Sequence, residues 1–255
     1  MRASFDQRIA RAAQLAETCL SARELLNFYR RLAVFQKAAF EQLSVTGGSD
    51  VRVLLRYFPA LLELARNSNA DSLAAFAERN LGNAAAREAL LLRRWDGGRT
   101  LSADSDEPAA DFFSRVLLQP YAESLAARGP IDLQADAATC PFCNARPVAV
   151  VLRGEGDGAK RSLLCSLCST EWPFRRVLCP WCGEQDKDKL PIYTASGLDH
   201  VRVEACDSCK TYVKAVDLTK DGLAIPVVDE LATVALNIWA DEHGYAKLEP
   251  NVLGF

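Results

Sequence analysis

Eight of the nine cysteines in this 255-residue chain stand in four Cys-x-x-Cys pairs, Cys140/Cys143, Cys165/Cys168, Cys179/Cys182 and Cys206/Cys209. Only Cys19 stands apart. A Cys-x-x-Cys turn points two sulfurs to one side of a tight knuckle, and two knuckles complete a tetrahedral set of four thiolates suited to zinc or iron. Disulfides are the competing use, but they belong to oxidising compartments. The first residues carry Arg2, Asp6, Arg8 and Arg11 where an export signal would be apolar, so the expectation is a cytoplasmic protein with reduced thiols. Four knuckles then make two metal sites, each holding zinc or iron of the rubredoxin type.

The sequence between the knuckles suggests which ones pair. From Cys143 to Cys165 it reads as strand, turn, strand: Arg146 to Leu152, then Gly154 to Gly158, then Lys160 to Leu164. From Cys182 to Cys206 the design repeats, with Lys189 to Thr194, a turn at Ser196-Gly197, and His200 to Ala205. Residues 169–178 read as a single strand linking two modules. Sequential pairing follows: Cys140, Cys143, Cys165 and Cys168 in one site, Cys179, Cys182, Cys206 and Cys209 in the other. Cross-bracing of first with third and second with fourth is the rival arrangement. Gly183 suits a left-handed residue after a knuckle, with backbone N–H groups aimed at sulfur, and Asn144 is the next most tolerant residue at the matching place.

Residues 1–135 read as helices. Ser21 to Glu24 has the form of a capping box, followed by a stripe of Leu25, Phe28, Tyr29, Leu32, Phe35 and Phe40. A further helix begins near Asp50 and is interrupted at Pro59, and others cover Asp71 to Asn80, Asn83 to Trp95 and Ala109 to Ala127. Gly97-Gly98 and Ser102 to Pro108 read as loops, and Pro120 should kink or split the last helix. Near the other end, Val228, Leu231, Ala235, Ile238 and Trp239 mark one apolar helix face, with Gly244 as its stop. That face needs a surface to pack on, either a metal module or the helical bundle. The expected class is therefore α+β: a helical domain at 1–135, rubredoxin-like or zinc-ribbon modules at 136–178 and 179–225, and a C-terminal helix and tail at 226–255.

Charge narrows the partners. Residues 136–255 hold 17 acidic and 13 basic side chains, and the formal net charge of the chain is -3. Two ions in four-thiolate sites would move it towards about -7. A zinc-ribbon grip on nucleic acid would want a basic face instead. Arg175-Arg176, beside Trp172 and Phe174, is the best local candidate and reads as a solvated strand face. His200 and His243 are the only histidines and form no acid-base constellation by sequence. There is no nucleophile elbow, P-loop or dinucleotide turn, and no knuckle is spare for thioredoxin-like redox work. No apolar run reaches membrane-spanning length, so no membrane insertion is expected. Cys19 lies in an amphipathic stretch as a small hydrophobe.

The run Leu164 to Trp172, continuing through Arg176-Val177-Leu178 to Cys179-Pro180-Trp181-Cys182-Gly183, resembles the formate dehydrogenase accessory protein FdhE family, as do Val203 to Lys214 and Asp229 to Leu236. The likeness covers residues 138–255; the N-terminal half is similar only in helical character and order. Asn144-Ala145 replace the Gly-Ser of the family pattern. The resemblance implies a cytoplasmic, non-enzymatic maturation protein that binds the catalytic subunit of respiratory formate dehydrogenase before export. It also implies rubredoxin-type iron as a rival to zinc.

Overall fold

The structure is a computed structural model that describes residues 2–48, 50–68, 70–97, 107–156 and 158–255. Among the described residues six α-helices come first: α1 (Phe5–Thr18), α2 (Arg23–Thr46), α3 (Phe58–Arg66), α4 (Asp71–Asn80), α5 (Ala84–Gly97) and α6 (Glu107–Ala126). Strands β1 (Pro147–Glu155), β2 (Gly158–Cys165), β3 (Glu171–Pro173), β4 (Ile192–Thr194), β5 (Val201–Cys206) and β6 (Thr211–Asp217) follow, then α7 (Pro226–Ala232), α8 (Val234–Glu242) and β7 (Ala246–Lys247). The expected helical region followed by a sheet region is thus present.

Several helix boundaries differ from the sequence reading. The capping box belongs to α1, where the Ser4 hydroxyl accepts from the Gln7 amide and the Gln7 side chain accepts from the Ser4 N–H. Ser21 caps nothing, because Leu20–Ala22 forms a 3-10 turn that runs straight into α2. Pro59 does not interrupt a helix. Val51–Tyr57 is a 3-10 segment capped by Asp50, and Pro59 sits in the first turn of α3, where a missing N–H costs nothing. Gly97 ends α5 and Pro108 opens α6, while Gly98 and the loop expected over residues 102–106 lie outside the described residues.

Pro120 leaves α6 continuous. Its ring lacks the N–H that would bond the Val116 carbonyl, but buried Gln36 of α2 donates its Nε2 to that carbonyl at 3.1 Å and to Gln119 Oε1 at 2.9 Å. Replacing Gln36 by Leu should therefore leave a buried carbonyl without a donor and cost about 1–3 kcal/mol in urea unfolding. An unchanged midpoint would contradict this account. Around this contact Leu32, Leu43, Phe58, Phe113 and Leu117 are fully buried, each contributing about 1.5–3 kcal/mol relative to exposure.

The sheet runs in the order β3-β2-β1-β6-β5-β4. Residues 169–178 do not form one linking strand; only β3 does, and it pairs with β2 as a third strand beside the first hairpin. The two hairpins are joined by β6, which pairs antiparallel with β5 and parallel with β1, Ala149 facing Lys214 and Val151 facing Val216. β7 pairs with β6 at Thr211 and Tyr212, below the reach of β1. β1 and β6 are accordingly buried on both faces, which is why Val148 to Leu152 and Val213 to Val216 read as near-continuous apolar runs.

The C-terminal helix is present in two segments, broken at Thr233, whose hydroxyl bonds back to the Asp229 and Glu230 carbonyls. The break divides the apolar stripe. Val228 and Leu231 join the core shared by helices and sheet, whereas Trp239 packs on Tyr193 beside β5 and Ile238 stays exposed. Gly244 takes the positive φ of +77° that ends α8. α7 also meets the start of the chain, where Arg11 pairs with buried Asp229.

Candidate metal centres

The eight paired cysteines gather as two separate groups of four, Cys140/Cys143/Cys165/Cys168 and Cys179/Cys182/Cys206/Cys209. Sequential pairing is the arrangement found, and cross-bracing is not. Each hairpin forces it: β1 and β2 pair Pro147 with Cys165, so the knuckle before the hairpin lies beside the one after it. β5 ends on Cys206, and the turn into β6 carries Cys209 back to Cys179.

Every knuckle closes in the same way. The residue after its second cysteine has positive φ: Asn144 at 58°, Ser169 at 53°, Gly183 at 77° and Lys210 at 55°. The amides of Asn144, Gly183 and Lys210 bond the carbonyls of Cys140, Cys179 and Cys206. Asn144 and Gly183 sit as the sequence suggested; Ser169 and Lys210 are the matching positions it did not single out. Backbone N–H groups aim at sulfur, from Leu167 and Cys168 to Cys165 Sγ at 3.3 and 3.4 Å, and from Trp181 to Cys179 Sγ at 3.4 Å.

The spacing of the sulfurs tests the fit to an ion. Sγ–Sγ distances are 3.5 Å for Cys140–Cys168, 3.4 Å for Cys143–Cys165, 3.7 Å for Cys179–Cys209 and 3.6 Å for Cys182–Cys206. Metal–sulfur bonds of about 2.3 Å in a tetrahedron place sulfurs about 3.8 Å apart. Both sets fit with small adjustments and can bind a metal. Without an ion, burial pushes the Cys165 and Cys206 thiols up. A bound dication reverses that preference and favours thiolates.

Two hydroxyls complete the picture and were not singled out in the sequence. Thr170 Oγ1 lies 3.1 Å from Cys168 Sγ, and Thr211 Oγ1 lies 3.0 Å from Cys209 Sγ. The signal is a shared Cys-x-x-Cys-x-Thr spacing in the closing knuckle of each site.

Elsewhere, Trp172 is buried with its indole N–H on the Ala137 carbonyl. Arg175 pairs with Asp136 and Arg176 bonds the Ala159 carbonyl, so this basic pair is tied down. His200 is not isolated: its Nε2 lies 2.9 Å from Asp229, which also holds Arg11, while Arg11 reaches Asp221 at 2.6 Å. Burial works to raise the Asp229 carboxyl, but its hydrogen bonds from His200 and Arg11 outweigh that and hold it below the usual range. Arg11 thus neutralises both carboxylates, making this a structural ion network. His243 stacks on Trp239 at 4.2 Å, and Cys19 is half-buried at the end of α1. Among the described residues, no helix is long and apolar enough to cross a membrane.

A helical region fused to two four-cysteine ribbons through one sheet defines a class of helical, tandem-ribbon metal-site proteins. Residues 139–176 match the family described as FdhE, central domain, and residues 177–253 match FdhE, C-terminal domain. Residues 139–253, which hold both four-cysteine sets, thus carry the two FdhE domains in succession. Among curated relatives, the protein FdhE homolog of Aquifex aeolicus is 38% identical over 117 residues, covering 46% of this chain and 41% of the relative. The Pseudomonas putida FdhE homolog is 39% identical over 124 residues, covering 46% of this chain and 38% of the relative. The matched part thus spans about two fifths of those relatives' length. The crystal structure of the FdhE protein from Pseudomonas aeruginosa aligns with 99% of this chain and 96% of that one, at a TM-score of 0.74 and 25% identity.

Proposed function

We propose that the protein is a cytoplasmic, non-enzymatic accessory factor for formate dehydrogenase that binds the catalytic subunit during maturation, before export. The observation that carries this reading is the FdhE-like architecture along nearly the whole chain, together with two intact four-cysteine sets. In this reading Cys140, Cys143, Cys165 and Cys168 hold one ion and Cys179, Cys182, Cys206 and Cys209 the other. Four thiolates suit zinc and iron alike. A bound ion supplies cross-linking of the knuckles. The surrounding chain then presents a shaped surface to the client.

Deleting the gene in its host and measuring formate-linked dye reduction tests the role, and undiminished activity would overturn it. A pull-down of the catalytic subunit with the tagged protein tests the contact.

The threonine hydroxyls serve the sites in this reading. A metal-bound thiolate carries no proton, so Thr170 and Thr211 donate to Cys168 and Cys209. Thr170→Val and Thr211→Val should each weaken retention at the adjacent site about tenfold in chelator competition, with the fold intact. Equal retention in both variants would remove this role.

A further inference from the structure

The two centres share a ligand set but not a setting. Around the first, Cys140, Cys165 and Cys168 are buried and Cys143 is half-buried, and the helical region wraps the closing knuckle. Gln119 of α6 donates to the Ser166 carbonyl at 2.9 Å, Glu123 holds both Arg8 and the Ser169 hydroxyl, and Arg2 lies 3.4 Å from the Thr170 hydroxyl. Cys140, Cys165, Cys168 and Trp172 belong to the same apolar core as α2 and α6. The closing knuckle of this site is thus held at the junction between helices and sheet.

The second centre is open on two sides. Cys182 is exposed and Cys209 half-buried, and the contacts flanking the knuckles are surface pairs, Ser208 with Glu184 and Lys210 with Asp207. From the other side, Cys179 and Cys206 line a cavity of about 280 Å³ on one face of the sheet. Arg161, Arg176, Arg202 and Lys187 share its lining with a single carboxylate, Glu204, which pairs with Arg161 and Arg202. Cations beside a metal–thiolate centre favour an approaching thiol in its ionised form.

We infer that the first centre is a closed structural site and that the second is an exchange site, at which a thiol from solution enters the metal's coordination shell. The inference rests on the reading that both sets hold metal. In the exchange step the incoming sulfur bonds to the ion as the bond from Cys182 Sγ breaks. The incoming thiol's proton passes to the released Cys182 sulfur, and no electron is transferred. Cys182 is the leaving ligand because its side chain can swing into solvent, whereas Cys179 and Cys206 are held by the packed strands around them.

The test uses the full chain loaded with zinc. Release is followed with a chromophoric chelator, with and without glutathione, while N-ethylmaleimide labelling and mass spectrometry identify the freed cysteines at each time. The expected result is two phases, one ion leaving at least about tenfold faster than the other. In the fast phase Cys179, Cys182, Cys206 and Cys209 become labelled, Cys140, Cys143, Cys165 and Cys168 stay protected, and glutathione accelerates that phase alone. A single common rate, first labelling at the Cys140 set, or indifference to glutathione would overturn the inference. Purified protein that takes up no metal would instead defeat the metal-binding reading itself.

Discussion

Cys165→Ser is expected to release one ion and destabilise the whole chain by more than about 4 kcal/mol. Cys165 ends β2, is 1% exposed and lies in the core that Val150, Leu163 and Trp172 share with Phe113 and Leu117 of α6. Losing its ligand frees the knuckle that Gln119, Arg8 and Arg2 grip from the helical side. Helical circular dichroism should therefore fall at a lower temperature, together with the loss of tryptophan packing. Cys206→Ser makes the contrast, since among the described residues the pairs flanking its knuckle, Ser208 with Glu184 and Lys210 with Asp207, come from the second module and not from the N-terminal helices. That variant should also lose one ion yet leave the helical transition near its original place. A helical transition unmoved by Cys165→Ser would show that the first centre does not support the bundle.

The second large effect is expected from Glu230→Gln. Glu230 of α7 is fully buried and accepts from Lys214 at 2.9 Å, from Asn251 at 2.8 Å and from Lys247. Lys214 lies on central strand β6 with no exposed surface, its ammonium also donating to the Glu230 and Thr233 carbonyls. Removing the carboxylate leaves a buried ammonium without its counter-ion, which costs about 3–5 kcal/mol. Changing both Glu230 and Lys214 to apolar residues of similar volume should cost less than the single change, because no such charge remains.

The same pair sets a pH dependence. Burial works to raise the Glu230 carboxyl, but the lysine charges outweigh it and hold it at about 2, against an ordinary 4.5. The folded state therefore binds fewer protons than the unfolded chain between those values, and stability falls as the solution is acidified from about 4.5 to about 2. Burial lowers Lys214 to about 8 despite Glu230. From there up to its ordinary 10.5 the unfolded chain again binds more protons, so this group's contribution rises with pH. Glu230→Gln should flatten the acid limb when unfolding free energy is measured across pH. An acid limb as steep as in the original would assign the effect to other carboxylates.

The metal sets were legible because their determinants are local: a fixed Cys-x-x-Cys spacing, a turn-bearing stretch such as Gly154 to Gly158, and a positive-φ position at Gly183. What joins the modules was not. β6 begins beyond the last cysteine, and its parallel partner β1 lies more than 50 residues earlier, so no short-range pattern announces the pairing. Ser21 and Ser4 both precede a Glu or Gln at the capping distance, and only tertiary placement decides which one caps. Pro120 failed to break α6 because a side chain from another helix satisfied the freed carbonyl. His200 looked solitary because its partner Asp229 lies 29 residues further on and is itself held by Arg11 from the start of the chain. In each case the missing information was a contact between residues far apart in sequence.

Arg115 on α6 is 1% exposed, and its guanidinium forms an ion pair with Asp111 within its own helix and donates to Glu249 and the Pro250 carbonyl of the tail. Glu249 lies 134 residues further along, which at about 5–20 residues per second is roughly 7–27 seconds of translation. Until then neither tail acceptor is available to Arg115, and Asp111 is its ion-pair partner within α6. The helical region thus completes its charge pairing only once the C-terminal tail has emerged, whatever metal the ribbons have already acquired.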